Sequence, residues 1–131
     1  MDFFNNIKKG LILVYGSAAT GKTTLGLQKT LEISKKNKVL FLDAENTFST
    51  ERLCQMDSKY KDYLDNILII TPKNFIELET AIKKIKKISN KFKLIILDSF
   101  GIFYRLDLQK NGHIKTNEVA INLLRNLKNI S

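Results

Sequence analysis

The run Gly16-Ser17-Ala18-Ala19-Thr20-Gly21-Lys22-Thr23-Thr24 satisfies the pattern G-x-x-x-x-G-K-T in full,. Gly16 and Gly21 permit a tight wrap, in which successive backbone N–H groups of Ser17, Ala18, Ala19 and Thr20 turn inward toward phosphate oxygens. A helix starting at Lys22 offers its unpaired N–H groups to the same anion. Lys22 supplies a mobile charge for the β- and γ-phosphates, the Thr23 hydroxyl is a Mg²⁺ ligand, and Thr24 lies near the α-phosphate. This pattern points to a nucleotide.

The flanks agree with that reading. Leu11 to Tyr15 is a continuous apolar run of the kind buried in a parallel sheet,. Lys22 to about Lys36 reads as a helix, and Val39 to Leu42 as a second buried strand. Ser49 or Thr50 caps a short helix through Met56. A third strand, Ile67 to Ile70, stops at Thr71-Pro72. Asn74 or Thr71 then opens a helix with Phe75, Leu78, Ile82 and Ile85 at three- and four-residue spacing, its apolar face widened by Ile76, Ala81 and Ile88. Leu94 to Asp98 is a fourth strand. A polar connection around Gln109 to His113 and an amphipathic segment from about Thr116 to Ile130 complete the chain. The order β-α-β-α-β-α-β-loop-α predicts an α/β fold: a P-loop NTPase with a parallel sheet covered on both faces.

Three acids fall at the carboxyl ends of predicted strands, where ligands of such sheets sit. Asp98 follows four apolar residues and is expected in the Mg²⁺ shell, with Ser99 beside it as a weaker candidate for the γ-phosphate shell. Asp43 and Glu45 leave the second strand. Glu45 is the general-base candidate for a water attacking the γ-phosphate, and Asp43, leaving the buried strand directly, is its more structural rival. The three arginines, Arg52, Arg105 and Arg125, read as surface ion-pair residues before anion contacts.

Length and composition set outer bounds. With 131 residues and 44% hydrophobic content, the chain is one domain with a core, neither collagen-like nor wholly disordered,. Its apolar runs are too short to cross a bilayer and no signal-peptide pattern opens it, so a cytoplasmic protein without membrane contact is expected. Cys54 has no disulfide partner and the single His113 builds no histidine-rich metal site,. Twenty-two basic residues against thirteen acids leave a net charge of +9, a field that attracts nucleic acid or phosphates,. For Lys83, Lys84, Lys86 and Lys87, a solvated helix face is the plainer account and a phosphate-backbone contact the rival one.

Taken together, these pieces resemble the RecA/Rad51 recombinase family over about residues 10 to 130, nearest its short archaeal paralogues. The resemblance rests on Tyr15-Gly16, Val39 to Glu45, Phe48-Ser49-Thr50-Glu51-Arg52-Leu53, Leu94 to Ser99, and Tyr104-Arg105-Leu106-Asp107-Leu108. It implies a RecA-like core that takes part in homologous recombination and DNA repair. ATP would be held by Gly16 to Thr24, with Asp98 the Walker B acid and Glu45 the glutamate that prepares water. Leu106 to Lys115 would fall in the first DNA-binding loop region, making Arg105, Lys110 and Lys115 the candidate contacts to single-stranded DNA. Partners implied are single-stranded DNA and other recombination proteins, with weak ATP hydrolysis.

Two departures from the family pattern shape the expectation. The segment ahead of the first strand is only about ten residues, so no N-terminal DNA-binding domain is expected. Residues 1–131 would be the N-terminal portion of a RecA-like ATPase domain, its C-terminal strands missing, including the one that inserts between the phosphate-loop strand and the Asp98 strand. An open apolar edge invites pairing, so a separate C-terminal polypeptide or self-association is expected to complete it. Two other function classes stand beside this one: a non-hydrolysing ATP-binding regulatory or assembly module, and a small-molecule kinase, disfavoured by the lack of an arginine-rich lid.

Overall fold

A computed structural model describes residues 21–99 and 101–130. The expected strand at 11–15 and the phosphate-loop residues Gly16 to Thr20 lie outside them. Within them, helices alternate with parallel strands: α1 (Lys22–Ser34), β1 (Val39–Asp43), α2 (Thr50–Met56), β2 (Ile67–Ile70), α3 (Phe75–Lys86), β3 (Leu94–Asp98) and α4 (Gly101–Ile130). The sheet order is β2-β1-β3. Val39 is level with Ile67 on one side and with Leu94 on the other, and Asp43 with Asp98. The fold is α/β with a parallel sheet, the arrangement of a RecA-like core.

Alternation along the strands splits the core between the two sheet faces. Leu40 and Leu42 turn toward α3 and α4, meeting Phe75, Leu78, Ile82, Ile85, Phe103, Ala120 and Leu123. Phe41 turns the other way, onto Leu27 and Leu31 of α1 and Leu53 of α2, with Ile96 of β3 beside it. Every residue of central β1 is buried, whereas all five of β3 are only half-buried. Among the described residues nothing pairs with the outer side of β3, and β2 forms the opposite edge with Leu68 and Ile69 exposed.

The helix starts follow local chemistry. Ser49 accepts from the Arg52 N–H to cap α2, and Asn74 accepts from the Glu77 N–H at 2.9 Å to start α3,. Of the two residues expected to open α3, Asn74 therefore does so. Three expectations are corrected. α1 ends at Ser34, two residues early. Ile76 is 76% exposed, because α3 buries only the Phe75, Leu78, Ala81, Ile82 and Ile85 stripe.

The third correction is partial: the expected polar connection around Gln109 to His113 is helical on both sides of a break at Gly112. Two helical segments, labelled together as α4, meet at that residue, whose φ of 77° carries no Cβ penalty in glycine,. Asp107 bridges the break: its carboxylate accepts from Asn111 at 2.8 Å and from the buried Thr116 hydroxyl at 2.8 Å. Residues 109–115 are exposed to solvent. Arg105, Lys110 and Lys115 accordingly sit exposed on helix, not on a loop.

Candidate nucleotide site

The site forms at the carboxyl edge of the sheet, where β1 and β3 end level and α1 begins. Asp98 is an even-numbered residue of β3, on the same face as Ile96, so its carboxylate is directed toward α1. There the Thr23 hydroxyl donates to Asp98 Oδ2 at 2.9 Å, across 75 residues of sequence. Gly21, with φ 87°, turns the chain into α1 through a left-handed conformation suited to glycine,. No side chain caps the start of this helix among the described residues. Its first-turn N–H groups and the positive end of its dipole are thus presented at the sheet edge, an arrangement that favours an anion.

The second acid has a different occupation. Asp43 is 3% exposed. Its Oδ1 accepts from the Thr47 N–H at 2.9 Å and the Thr47 hydroxyl at 3.3 Å, and its Oδ2 from the Phe48 N–H at 2.9 Å. These bonds fold the loop after β1 back onto the strand. Asn46 supplies the left-handed residue (φ 57°) that the turn needs,. Phe48 is then packed edge-on against Phe41, ring centres 5.2 Å apart. Both Asp43 oxygens are committed to holding the loop.

Glu45 is carried out of the core by that loop and remains partly exposed. Ser99, one residue beyond β3, donates its hydroxyl to Glu45 Oε1 at 2.9 Å. The backbone ties the same two segments, since Ala44 N–H and Glu45 N–H both reach the Asp98 carbonyl, at 2.8 and 3.3 Å. Thr47 adds a further link, its hydroxyl lying 3.0 Å from Asp98 Oδ2. Asp98, Glu45, Ser99 and Thr23 are therefore one connected group.

Two residues of this group escaped sequence reasoning. The available signal was slight: an aspartate commonly accepts from backbone two residues on, whereas Thr47 sits four residues after Asp43,. Arg52 read as a surface residue, yet its guanidinium Nη2 reaches the Thr24 hydroxyl at 2.5 Å. It brings a fixed cation to the first turn of α1. Arg105, Lys110 and Lys115 are not part of this group. Lys110 instead borders a shallow cleft of about 180 Å³ with Lys73, Phe75 and Phe103.

The donors brought together are hard oxygens, one hydroxyl and one carboxylate. Mg²⁺ is commonly held by one or two such groups together with substrate phosphates. The Thr23 hydroxyl and the Asp98 carboxylate are donors of that kind.

Comparison with known proteins agrees with the geometry. A family model described as Rad51 matches residues 7–131. The chain is 40% identical over 107 residues to a DNA repair and recombination protein RadB of Thermococcus onnurineus, covering 78% of this chain and 47% of that protein. A protein of the same description from Pyrococcus furiosus is 40% identical over 107 residues, 77% of this chain and 47% of its own length. The one from Methanocaldococcus jannaschii is 32% identical over 127 residues, 93% of this chain and 60% of its own. The chain thus spans about half the length of the curated relatives it matches. It belongs to the RecA/Rad51 family, and within that family it is similar to the RadB-type proteins.

Proposed function

We propose that this chain carries the ATP-gripping part of a DNA repair and recombination protein, binding single-stranded DNA and hydrolysing ATP weakly. The observation that carries the reading is the Thr23–Asp98 contact at 2.9 Å, which places a phosphate-loop hydroxyl against a strand-end acid. The relatives' descriptions supply the repair and recombination context. Residues 1–131 serve as the N-terminal portion of a RecA-like ATPase domain, in the cytoplasm, with other recombination proteins as partners.

The nucleotide is held by Gly16 to Thr24. Lys22 places its charge against the β- and γ-phosphates, and the first turn of α1 adds N–H donors. Thr23 and Asp98 would hold Mg²⁺, which would neutralise charge on the phosphoryl oxygens. Arg52 fixes the Thr24 hydroxyl and adds a second cation to that end of the site. Glu45 orients the attacking water and accepts its proton, while Ser99 holds one carboxylate oxygen and so limits how the group can rotate,. Arg105, Lys110 and Lys115 are the contacts to DNA that the family pattern suggests.

ATP turnover measured with and without single-stranded DNA tests the reading, with Lys22→Ala and Glu45→Gln beside the unaltered chain. Turnover lost in both variants, with nucleotide binding kept only by Glu45→Gln, supports it. Binding without turnover in the unaltered chain would reassign it to a module that uses ATP to hold a partner.

A further inference from the structure

The net charge of this protein is uneven along its sequence. Residues 35–38 contain three lysines and residues 83–93 contain six, with no acid in either stretch. The other thirteen basic side chains are matched by thirteen acids. The whole excess of +9 therefore resides in two short stretches separated by 44 residues.

The fold brings those stretches together. Lys35–Lys38 leads from the end of α1 into β1, and Lys83–Lys93 runs from the last turn of α3 into β3. Their junction is fixed where the Lys93 N–H donates to the Lys38 carbonyl at 2.9 Å, directly before the Val39–Leu94 register pair. Both lie at the amino edge of the sheet, opposite Asp43, Glu45 and Asp98. Two of the nine are paired: Lys35 lies 4.0 Å from Asp57 and Lys83 is 3.2 Å from Glu79. Lys36, Lys38, Lys84, Lys86, Lys87, Lys91 and Lys93 are all exposed and make no ion pair among the described residues. Favourable interaction with the C-terminal dipole of α3 reaches only its last turn and leaves the lysines at 36, 38, 91 and 93 unaccounted for.

We infer that this amino edge is a nucleic-acid backbone surface, separate from the candidate contacts Arg105, Lys110 and Lys115. Seven unpaired ammonium groups suit a chain of phosphates, read by charge and not by base. A membrane surface fits less well. None of the large exposed apolar side chains (Leu68, Ile69, Ile76, Leu106, Ile114, Ile121 and Leu124) belongs to either stretch, so nothing there would anchor in lipid. The placement lets a strand lie across one edge while nucleotide enters at the other. This inference rests on the DNA-binding reading proposed above and assigns it a surface.

The test is fluorescence anisotropy with a labelled oligo-dT strand, titrated with the full chain at several salt concentrations. The variants are Lys84→Gln/Lys87→Gln/Lys91→Gln/Lys93→Gln and, separately, Arg105→Gln/Lys110→Gln/Lys115→Gln. The first set alters exposed side chains only, and circular dichroism verifies its fold. For single strands the slope of log K against log salt falls by about 0.7 for each phosphate no longer neutralised, so by about 3 for four. We expect that flattening and at least a tenfold weaker affinity from the first variant. Unchanged slope and affinity there would overturn the inference. If the second variant alone then loses affinity, the DNA-binding reading survives at a different surface. An unaltered chain that binds no oligo-dT at low salt would sink both. Loss of binding to phosphatidylserine vesicles with DNA affinity intact would also overturn the inference, in favour of a membrane.

Discussion

Exchanging Asp43 for asparagine separates the two acids that leave β1. Asp43 accepts two backbone N–H groups at 2.9 Å, one on each carboxylate oxygen, at 3% exposure. Asparagine keeps one accepting oxygen and sets an amide N–H₂ against the other donor. A hydrogen bond to a charged group is worth about 1.5–3 kcal/mol, and stranding the buried partner adds to the loss. Asp43→Asn should therefore destabilise the chain by about 2 kcal/mol. At about 2 kcal/mol per molar in urea, the unfolding midpoint moves down by about 1 M. Glu45→Gln should behave in the opposite way. Its side chain retains an oxygen for the Ser99 hydroxyl and is only partly buried, so its midpoint should move by less than about 0.5 kcal/mol equivalent. Its ATP turnover should nevertheless collapse. Urea titrations followed by circular dichroism, run beside a phosphate-release assay, read both effects. An Asp43→Asn protein with an unchanged midpoint and no turnover would refute the assignment, making Asp43 the chemical group.

Two smaller perturbations bear on neighbouring parts of the structure. Thr23→Val removes the hydroxyl that meets Asp98, so affinity for a fluorescent ATP analogue should fall about tenfold in Mg²⁺ but much less in EDTA,. An equal fall in both would show that the hydroxyl does not act through the ion. Asn74→Ala deletes the acceptor of the Glu77 N–H and should cost about 1 kcal/mol in urea unfolding, without changing nucleotide affinity,.

The parts of this fold legible in the sequence share one property: their neighbours in sequence also determine them. The strands at 39–43, 67–70 and 94–98 are apolar runs bounded by polar residues, and the caps at Ser49 and Asn74 lie directly before their helices. Asp98 was legible because a strand-final acid after four apolar residues has few other places to be. Its meeting with Thr23, 75 residues away, was legible only through the Mg²⁺ shell expected to include both. Less legible was the stretch from Gln109 to His113. These residues read as a polar connection and are exposed, but they are helical on either side of Gly112, and Asp107 reaches nine residues ahead to Thr116 across the break. Local composition contains no trace of such a bond. Arg52 was missed for a related reason: its partner, Thr24, lies 28 residues away. Lys83, Lys84, Lys86 and Lys87 read as one helix face, and the joining of 83–93 with 35–38 appears only once β1 and β3 are paired.

The bonds that define the site close very long stretches of chain: 51 residues between Thr47 and Asp98, 54 between Glu45 and Ser99, 75 between Thr23 and Asp98. None can form until β3 has docked beside β1, a step that carries the loop-closure entropy of everything between. The chemistry thus depends on that docking and is absent from any species in which α1, β1 and α2 are organised but β3 is free. A ligand bridging Thr23 and Asp98 acts at that closure. It draws its stabilising effect from the docking of an entire strand, and hydrogen exchange along residues 94–98 should slow together as a unit when nucleotide binds.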